Sequence, residues 1–379
     1  MPARPRARGH LRALTGIRFL AAFWVLAFHN MPRLGLPVPV LRFVEAGYLG
    51  VSLFFVLSGF ILAHVYEPDI LAREFSARTF LRARFARVYP AYLAGLVLAI
   101  PLFLHGLGGA TAPRGTTLAG ICAANVMMLQ AWVPGWGCTW NCPGWSLSVE
   151  AFFYVAFIPL ATWLLRQRDR RIALVAAVAA AALALVGLSV SDGAAVAVPG
   201  WGSVTQAMYL TPFTPFVRLP EFVLGMCASR LLRRPSGQPY LGRARWSLTA
   251  GALIAVIAVG TSSWPAGGMA STAAIAVPST LLIAALADPS RPSWLGSNLL
   301  VRLGNASYSL YLIHSVVFAY FLAAANRTLG APWGHSWLGF GVYVIGVVGL
   351  SLLMHDYLEV PARRLLRGRA ALPAVAPSW

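Results

Sequence analysis

Long apolar stretches alternate along the chain with short segments that are rich in arginine. A transmembrane helix needs about 20 predominantly apolar residues to cross a bilayer. Eleven stretches approach that length. They cover residues 11–30, 46–66, 88–105, 116–133, 145–165, 172–190, 216–232, 246–263, 270–287, 303–325 and 337–358. The pattern predicts an all-α fold, a polytopic bundle of membrane helices that forms a single domain over residues 1–379.

The placement of arginine predicts which stretches cross the membrane, because short cytoplasmic loops collect basic residues. Most arginines lie in six segments, at residues 4–12, 73–87, 166–171, 230–245, 291–302 and 363–369. All six face the cytoplasm if every stretch crosses except 116–133, which then re-enters the membrane or lies along its outer surface. We therefore expect ten spans, with basic cytoplasmic tails at residues 1–10 and 360–379.

Composition supports a membrane protein, since 58% of the residues are hydrophobic and only 11% are charged, against roughly 25% in soluble domains. A formal net charge of +19 would indicate nucleic acid if the arginines formed a stripe on a soluble domain. They lie between apolar stretches instead, so we expect a lipid bilayer and no nucleic acid as partner. The N-terminus resembles a secretion signal without a cleavage site, which predicts an uncleaved first helix in the bacterial inner membrane.

Ionisable residues inside membrane spans are costly and usually functional. Arg18 and His29 lie 11 residues apart in the first stretch, which places them on one helix face with ~16 Å of rise between them. An arginine can hold phosphates and a histidine can accept a proton near neutral pH. Alternatively, Arg18 snorkels to the interface and His29 caps the helix.

Glu150 follows Trp145 and Ser146 in the segment PGWSLSVEAFFY, about one and a half turns into the fifth span. A carboxylate beside His29 would orient it as a base. The alternative is that Glu150 only bridges helices. Arg218 and Glu221 have i, i+3 spacing and are expected to pair, in a structural or an acceptor-positioning role.

Three arginines, Arg82, Arg84 and Arg87, precede the third span. They either set topology and contact lipid headgroups or bind the phosphates of a nucleotide coenzyme on the cytoplasmic side. In the tenth span Tyr308, Tyr311 and His314 lie broadly along one side, either as satisfied core groups or as part of a site.

Two of the four cysteines, Cys138 and Cys142, lie in the loop WGCTWNCPGW. Our topology places this loop on the oxidising outer face, where the pair could form a disulfide. A zinc site needs more ligands than the loop offers, and we expect no metal.

Taken in order, these segments resemble those of the bacterial membrane-bound acyltransferase family 3, whose members O-acylate sugars, surface polysaccharides and some macrolide antibiotics. The resemblance extends over nearly the whole chain. It rests on LTGIRFLAAFWVLAFH, GVSLFFVLSGFIL, RFARVYPAY, WSLSVEAFFY, RLPEFVLG, SYSLYLIH and EVPARR.

The resemblance implies an acyl-CoA co-substrate, such as acetyl-CoA or propionyl-CoA, that enters from the cytoplasm, and no tightly bound cofactor. It makes Arg18 and His29 the family's paired essential residues and Glu150 the acid of its WSLSxE segment. Some relatives carry an additional extracytoplasmic esterase-like domain. This chain ends at Trp379 without one, so we expect direct transfer to a sugar, polysaccharide or macrolide acceptor.

The expected mechanism has His29 as the base for the acceptor hydroxyl, Glu150 as its orienting group and the arginines as the donor site. Trp145 and Ser146 are candidate donors to the oxyanion. The rival hypotheses are a non-enzymatic transporter or exporter of a small hydrophobic or glycosylated compound, which would use the same polar groups to line a path, and a membrane protein that binds or senses lipid.

Overall fold

The computed structural model describes residues 11–33, 35–109, 113–189, 195–198, 202–205, 213–232, 244–262, 269–287, 294–330 and 335–367. The predicted N-terminal tail at residues 1–10 lies outside the described residues, as does most of the predicted C-terminal tail. Residues 360–367 of that second tail continue the last helix.

Thirteen α-helices make up most of the described chain. They are α1 (Arg12–Asn30), α2 (Val38–Glu45), α3 (Gly50–Leu71), α4 (Ala77–Gly106), α5 (Gly115–Val126), α6 (Trp145–Leu164), α7 (Asp169–Ser189), α8 (Pro215–Leu231), α9 (Ala244–Thr261), α10 (Met269–Leu286), α11 (Asn298–Thr328), α12 (Trp337–Met354) and α13 (Val360–Arg367). A π-helical turn, His355–Glu359, joins α12 to α13. Strands β1 (Ala195–Val198) and β2 (Gly202–Thr205) pair antiparallel, a short ribbon that the sequence pattern did not predict.

Eight helical segments of the described chain are long and apolar enough to cross a membrane. They correspond to eight of the ten predicted spans, and α8 and α9, with 17 and 18 residues, occupy the other two. By contrast, α5 has 12 residues and a length of ~18 Å at 1.5 Å per residue. It is too short to cross a hydrocarbon core of about 30 Å, in agreement with the prediction that 116–133 does not span. The chain is a multi-pass membrane protein built as a helical bundle.

Helices α1 and α11 pack against each other side by side and run in the same direction. Gly304 of α11 lies against the backbone of α1, where an added Cβ atom would stand 1.9 Å from the carbonyl oxygen of Thr15. Farther along, the ring of His314 of α11 lies beside that of His29 of α1. Small residues let membrane helices approach closely, and here they hold together the two helices that carry these histidines.

We expect Gly304→Ala to destabilise the bundle by at least the about 1–3 kcal/mol that overpacking usually costs, because its methyl group would overlap the Thr15 carbonyl. The measurement is thermal unfolding of the detergent-purified protein. The matched control is Gly346→Ala in α12, where an added Cβ atom meets nothing within 4 Å. Equal melting temperatures for the two variants would contradict the close α1–α11 contact.

Candidate active site

A cavity enclosed by α1, α3, α4, α6 and α11 lies inside the bundle. Its empty space, which includes the part that is open to solvent, is about 820 Å³. It follows α3 from Val51 to Leu62, a rise of ~16 Å. The volume and length suit an elongated ligand that lies along the helix axes.

Arginine side chains line one end of this cavity. Arg18 comes from α1, and Arg84 and Arg87 come from the first turns of α4. Arg84 and Arg87 are buried, and among the described residues Arg84 Nε and both terminal nitrogens of Arg87 have no hydrogen-bond partner. Buried donors without partners are costly, so this end of the cavity has unused capacity to bind an anion.

Two carboxylates lie near these arginines. Glu150 lines the cavity and accepts a hydrogen bond from Ser58 of α3 at 3.1 Å. Glu359, in the π-helical turn, lies 3.9 Å from Arg87 Nη1 and accepts a hydrogen bond from Ser309. Within the cavity lining the three arginines outnumber the single carboxylate, so the lining carries an excess of positive charge.

A pair of hydroxyl groups lines the opposite end of the cavity. Ser146, in the first turn of α6, lies 2.8 Å from the hydroxyl of Tyr311 and 3.0 Å from the carbonyl oxygen of Pro143. Tyr308, one turn before Tyr311 on α11, also lines the cavity and donates a hydrogen bond to the carbonyl of Val88 at 2.8 Å. This end can therefore present hydroxyl groups to a bound ligand.

A pair of histidines lies one helical turn beyond Tyr311. His314 is buried, and its ring lies 6.0 Å from that of Tyr311 and 5.0 Å from that of His29. Nε2 of His314 is 3.2 Å from Nδ1 of His29. The ring of His29, in the last turn of α1, is exposed. Arg18 thus lines the cavity at its arginine end, whereas His29 lies outside the lining, beyond Tyr311, in contact with His314 of α11.

The predicted contact between Glu150 and His29 is wrong. Glu150 lies one and a half turns inside α6, beside Ser58 and in the same cavity as the arginines. The polar neighbours of the His29 ring are the Val25 carbonyl, at 2.9 Å, and His314. Glu150 therefore shares the cavity with the arginines and not the surroundings of the His29 ring.

Two further predicted residues lie outside the cavity lining. Arg82 is exposed and donates to the carbonyl of Leu366 at 2.7 Å, which ties α4 to α13. Trp145 packs edge-on against Phe55 and Phe213. Neither side chain faces the cavity, so neither is placed to bind the donor or an oxyanion.

Arg218 and Glu221 form a buried pair, with Arg218 Nε 3.1 Å from Glu221 Oε2. Arg218 also donates to Ser52 of α3 at 3.2 Å and lies over the Phe55 ring. These contacts join α8 to α3, and neither Arg218 nor Glu221 is itself in the cavity lining, which favours the structural role over the acceptor-positioning role.

The loop before α6 is held by several polar contacts. A disulfide joins Cys138 to Cys142, and between them Asn141 donates to the carbonyl of Leu312 on α11 at 3.1 Å. Gln130 donates to the carbonyl of Gly144 at 2.9 Å. The loop thereby fixes the start of α6, where Ser146 meets Tyr311.

Sequence reasoning missed three polar residues of the cavity, Ser58, Tyr154 and Ser307. A signal for Tyr154 was present, because it follows Glu150 by four residues and so shares its helix face. Ser58 precedes Gly59 inside an otherwise apolar span, and a small polar pair of this kind marks a helix contact.

Comparison with known proteins identifies the family to which the chain belongs. The acyltransferase domain of acyltransferase family 3 matches residues 11–356. The chain belongs to this family. The acyltransferase MdmB of Streptomyces mycarofaciens is 32% identical over 97% of the chain and 95% of its own length. Nodulation protein 10 of Rhizobium leguminosarum bv. viciae is 26% identical over 96% of each protein.

A third relative, the exopolysaccharide production protein ExoZ of Rhizobium meliloti (strain 1021), is 27% identical over 86% of the chain and 95% of its own length. No solved structure matches the chain significantly. Membership of the family makes the chain an acyltransferase, and the resemblance predicted from the ordered motifs is confirmed.

Proposed function

We propose that this acyltransferase takes an acetyl or other short acyl group from acyl-CoA and transfers it to a hydroxyl of a carbohydrate or macrolide-type acceptor. The observation that carries the proposal is a ~16 Å cavity with three arginines at one end and a histidine pair just beyond the other. We further propose that it acts in the bacterial inner membrane, with both termini in the cytoplasm.

The arginine end suits the phosphates of coenzyme A. Arg18, Arg84 and Arg87 supply forked donors for charge-assisted hydrogen bonds, and Arg87 has buried nitrogens without a hydrogen-bond partner among the described residues. From there the pantetheine arm extends along the apolar wall of α3, which includes Phe54, Phe55 and Leu57. The cavity's length is one that an extended phosphopantetheine arm can cover, so the thioester arrives near Tyr311.

Transfer then requires a base at the far end. Nε2 of His29 accepts the proton of the acceptor hydroxyl while the hydroxyl oxygen attacks the thioester carbonyl carbon. The new C–O bond forms, the C–S bond breaks, and the proton on His29 passes to the departing CoA thiolate. The hydroxyl of Tyr311, which accepts from Ser146 and keeps its own hydrogen to donate, is the group placed to stabilise the oxyanion.

Two observations bear on the class of acceptor, namely the names of the relatives and the exposure of the His29 ring. One of the relatives is named for exopolysaccharide production, which favours a carbohydrate acceptor. The exposed ring of His29 is open at the end of the bundle opposite the arginines. An acceptor can therefore approach the base without passing through the donor cavity.

The experiment that tests the function measures free CoA thiol with a thiol-reactive dye. Purified protein receives acetyl-CoA or propionyl-CoA and a panel of sugar, polysaccharide and macrolide acceptors, and products are identified by mass spectrometry. We expect thiol release that depends on the acceptor, with one acyl group gained per thiol released. Movement of a compound across vesicles without any thiol released would indicate a transporter and overturn the proposal.

A further inference from the structure

We infer that His314 is a positioning residue that holds the His29 ring in the one tautomer able to act as a base towards the acceptor. The inference rests on the proposed function and assigns the orienting role that Glu150 does not fill. It follows from three contacts between ring nitrogens and their neighbours.

The first contact fixes the tautomer of His314. Its Nδ1 lies 2.7 Å from the carbonyl oxygen of Tyr311, and a carbonyl can only accept a hydrogen bond. Nδ1 of His314 therefore carries the hydrogen. In a neutral imidazole the other nitrogen is then an acceptor, so Nε2 of His314 presents a lone pair to His29.

The second and third contacts fix the tautomer of His29. Its Nδ1 lies 2.9 Å from the carbonyl oxygen of Val25 and 3.2 Å from Nε2 of His314. Both neighbours are acceptors, so Nδ1 of His29 must carry the hydrogen. Nε2 of His29 is left with a free lone pair, as a base requires.

The Val25 carbonyl is a weak partner on its own. It belongs to the turn of α1 that precedes His29 and is already the acceptor for the helical backbone bond from residue 29. His314 supplies a second acceptor from a different helix, so it can set the direction of the ring as well as its tautomer. When His29 takes up a proton, the same lone pair stabilises the hydrogen on Nδ1.

The surroundings of His314 hold it rigidly. The hydroxyl of Tyr343 on α12 donates to the carbonyl oxygen of His314 at 2.9 Å, and Asn30 of α1 donates to that hydroxyl at 2.9 Å. Asn30, Tyr343 and His314 are all buried. A fixed and buried neighbour is what the orientation of a functional histidine requires.

The test compares three variants of His314 that differ in where the side chain can offer a hydrogen-bond acceptor. In His314→Gln the amide oxygen can reach the position of Nε2 and accept from His29, whereas in His314→Asn it reaches only the position of Nδ1. His314→Leu offers no acceptor. We expect kcat for acyl transfer to fall about 10–100-fold in the Asn and Leu variants and to recover to within about threefold of wild type in the Gln variant.

Two measurements distinguish orientation of the His29 ring by His314 from a merely structural role of His314. The KM for acyl-CoA should stay constant in all three variants, because the arginines lie at the other end of the cavity. The second measurement is the nitrogen-15 spectrum of histidine-labelled protein, in which the His29 signals are assigned as those that disappear in His29→Ala. These signals should show His29 protonated at Nδ1 both in wild type and in Glu150→Gln. The Leu variant should show a new population protonated at Nε2. His105→Leu, which removes an exposed histidine at the end of α4, is the control for activity.

An unchanged His29 tautomer in the Leu variant, or equal kcat in the Gln and Asn variants, would overturn the inference. The spectra need no acceptor and no turnover. If wild type released no acceptor-dependent thiol, the proposed function would fail while the spectra still decided the pairing of the two histidines.

Discussion

Replacing His29 by alanine is expected to abolish acyl transfer while the folded bundle and donor binding remain. The ring is exposed at the last turn of α1 and its polar neighbours are the Val25 carbonyl and His314, so its loss removes little buried surface. Without it the acceptor loses the exposed base, since the neighbouring lone pair on Nε2 of His314 belongs to a buried ring. General base catalysis typically contributes 10²–10⁴-fold, so we expect kcat to fall by at least about that factor.

The measurements are acceptor-dependent thiol release, thermal unfolding and acyl-CoA affinity on the same detergent preparation. His105→Ala serves as a control because it also removes an exposed histidine at a helix end. Turnover near the wild-type rate in His29→Ala would exclude His29 as the base. Lost turnover together with lost donor binding would show instead that the variant disrupts the cavity.

Replacing Arg18 by methionine should weaken acyl-CoA binding by about 10–100-fold, because a hydrogen bond to a charged group contributes about 1.5–3 kcal/mol. Methionine keeps an apolar stem of similar length and removes only the guanidinium. Calorimetry with acetyl-CoA measures the affinity. An acylated pantetheine that lacks the phosphates should bind wild type and Arg18→Met equally, because Arg18 has no phosphate to hold in that ligand.

Arg82→Met is the matched control for this experiment. Arg82 is also an arginine near the same membrane surface, but it is exposed and bonded to the Leu366 carbonyl. Its replacement should leave acyl-CoA affinity unchanged. Equal affinities for wild type and Arg18→Met would remove Arg18 from the donor site, and equal losses in both variants would show a diffuse surface charge effect.

Features with a local physical cause could be predicted from the sequence. The eight long apolar helices of the described residues follow from apolar length, and the short α5 agrees with the non-spanning segment that arginine placement predicts. The shared face of Arg18 and His29 follows from helical periodicity alone. In the structure Arg18 lines the cavity to which α11 contributes Ser307 and Tyr308, and His29 contacts His314 of α11.

Relations between helices could not be predicted in this way. Glu150 and His29 lie on different helices, and their relative depth is set by how α1 and α6 pack. Glu150 is about 7–8 Å deeper than the start of α6 at 1.5 Å per residue, which places it with the arginines. The pairing of His29 with His314 joins residues 285 positions apart, and no periodicity reaches that far.

Helical spacing separates Arg82 from Arg84 and Arg87 on α4. Residues 84 and 87 are three apart and lie on one face of a helix, whereas residues 82 and 84 are two apart and face away from each other. The structure accordingly turns Arg84 and Arg87 into the cavity and Arg82 outwards. Helical spacing should have excluded Arg82 from the proposed donor site.

The contact between α1 and α11 sets an order for biosynthesis. Ribosomes add about 5–20 residues per second, so the 285 residues that separate His29 from His314 correspond to ~14–57 s of translation. During that interval the nascent first helix stands in lipid with Arg18 and His29 but without α11. A chain that stops before α11 lacks one wall of the cavity and the partner of the His29 ring, so we expect acyl transfer only after α11 has been made.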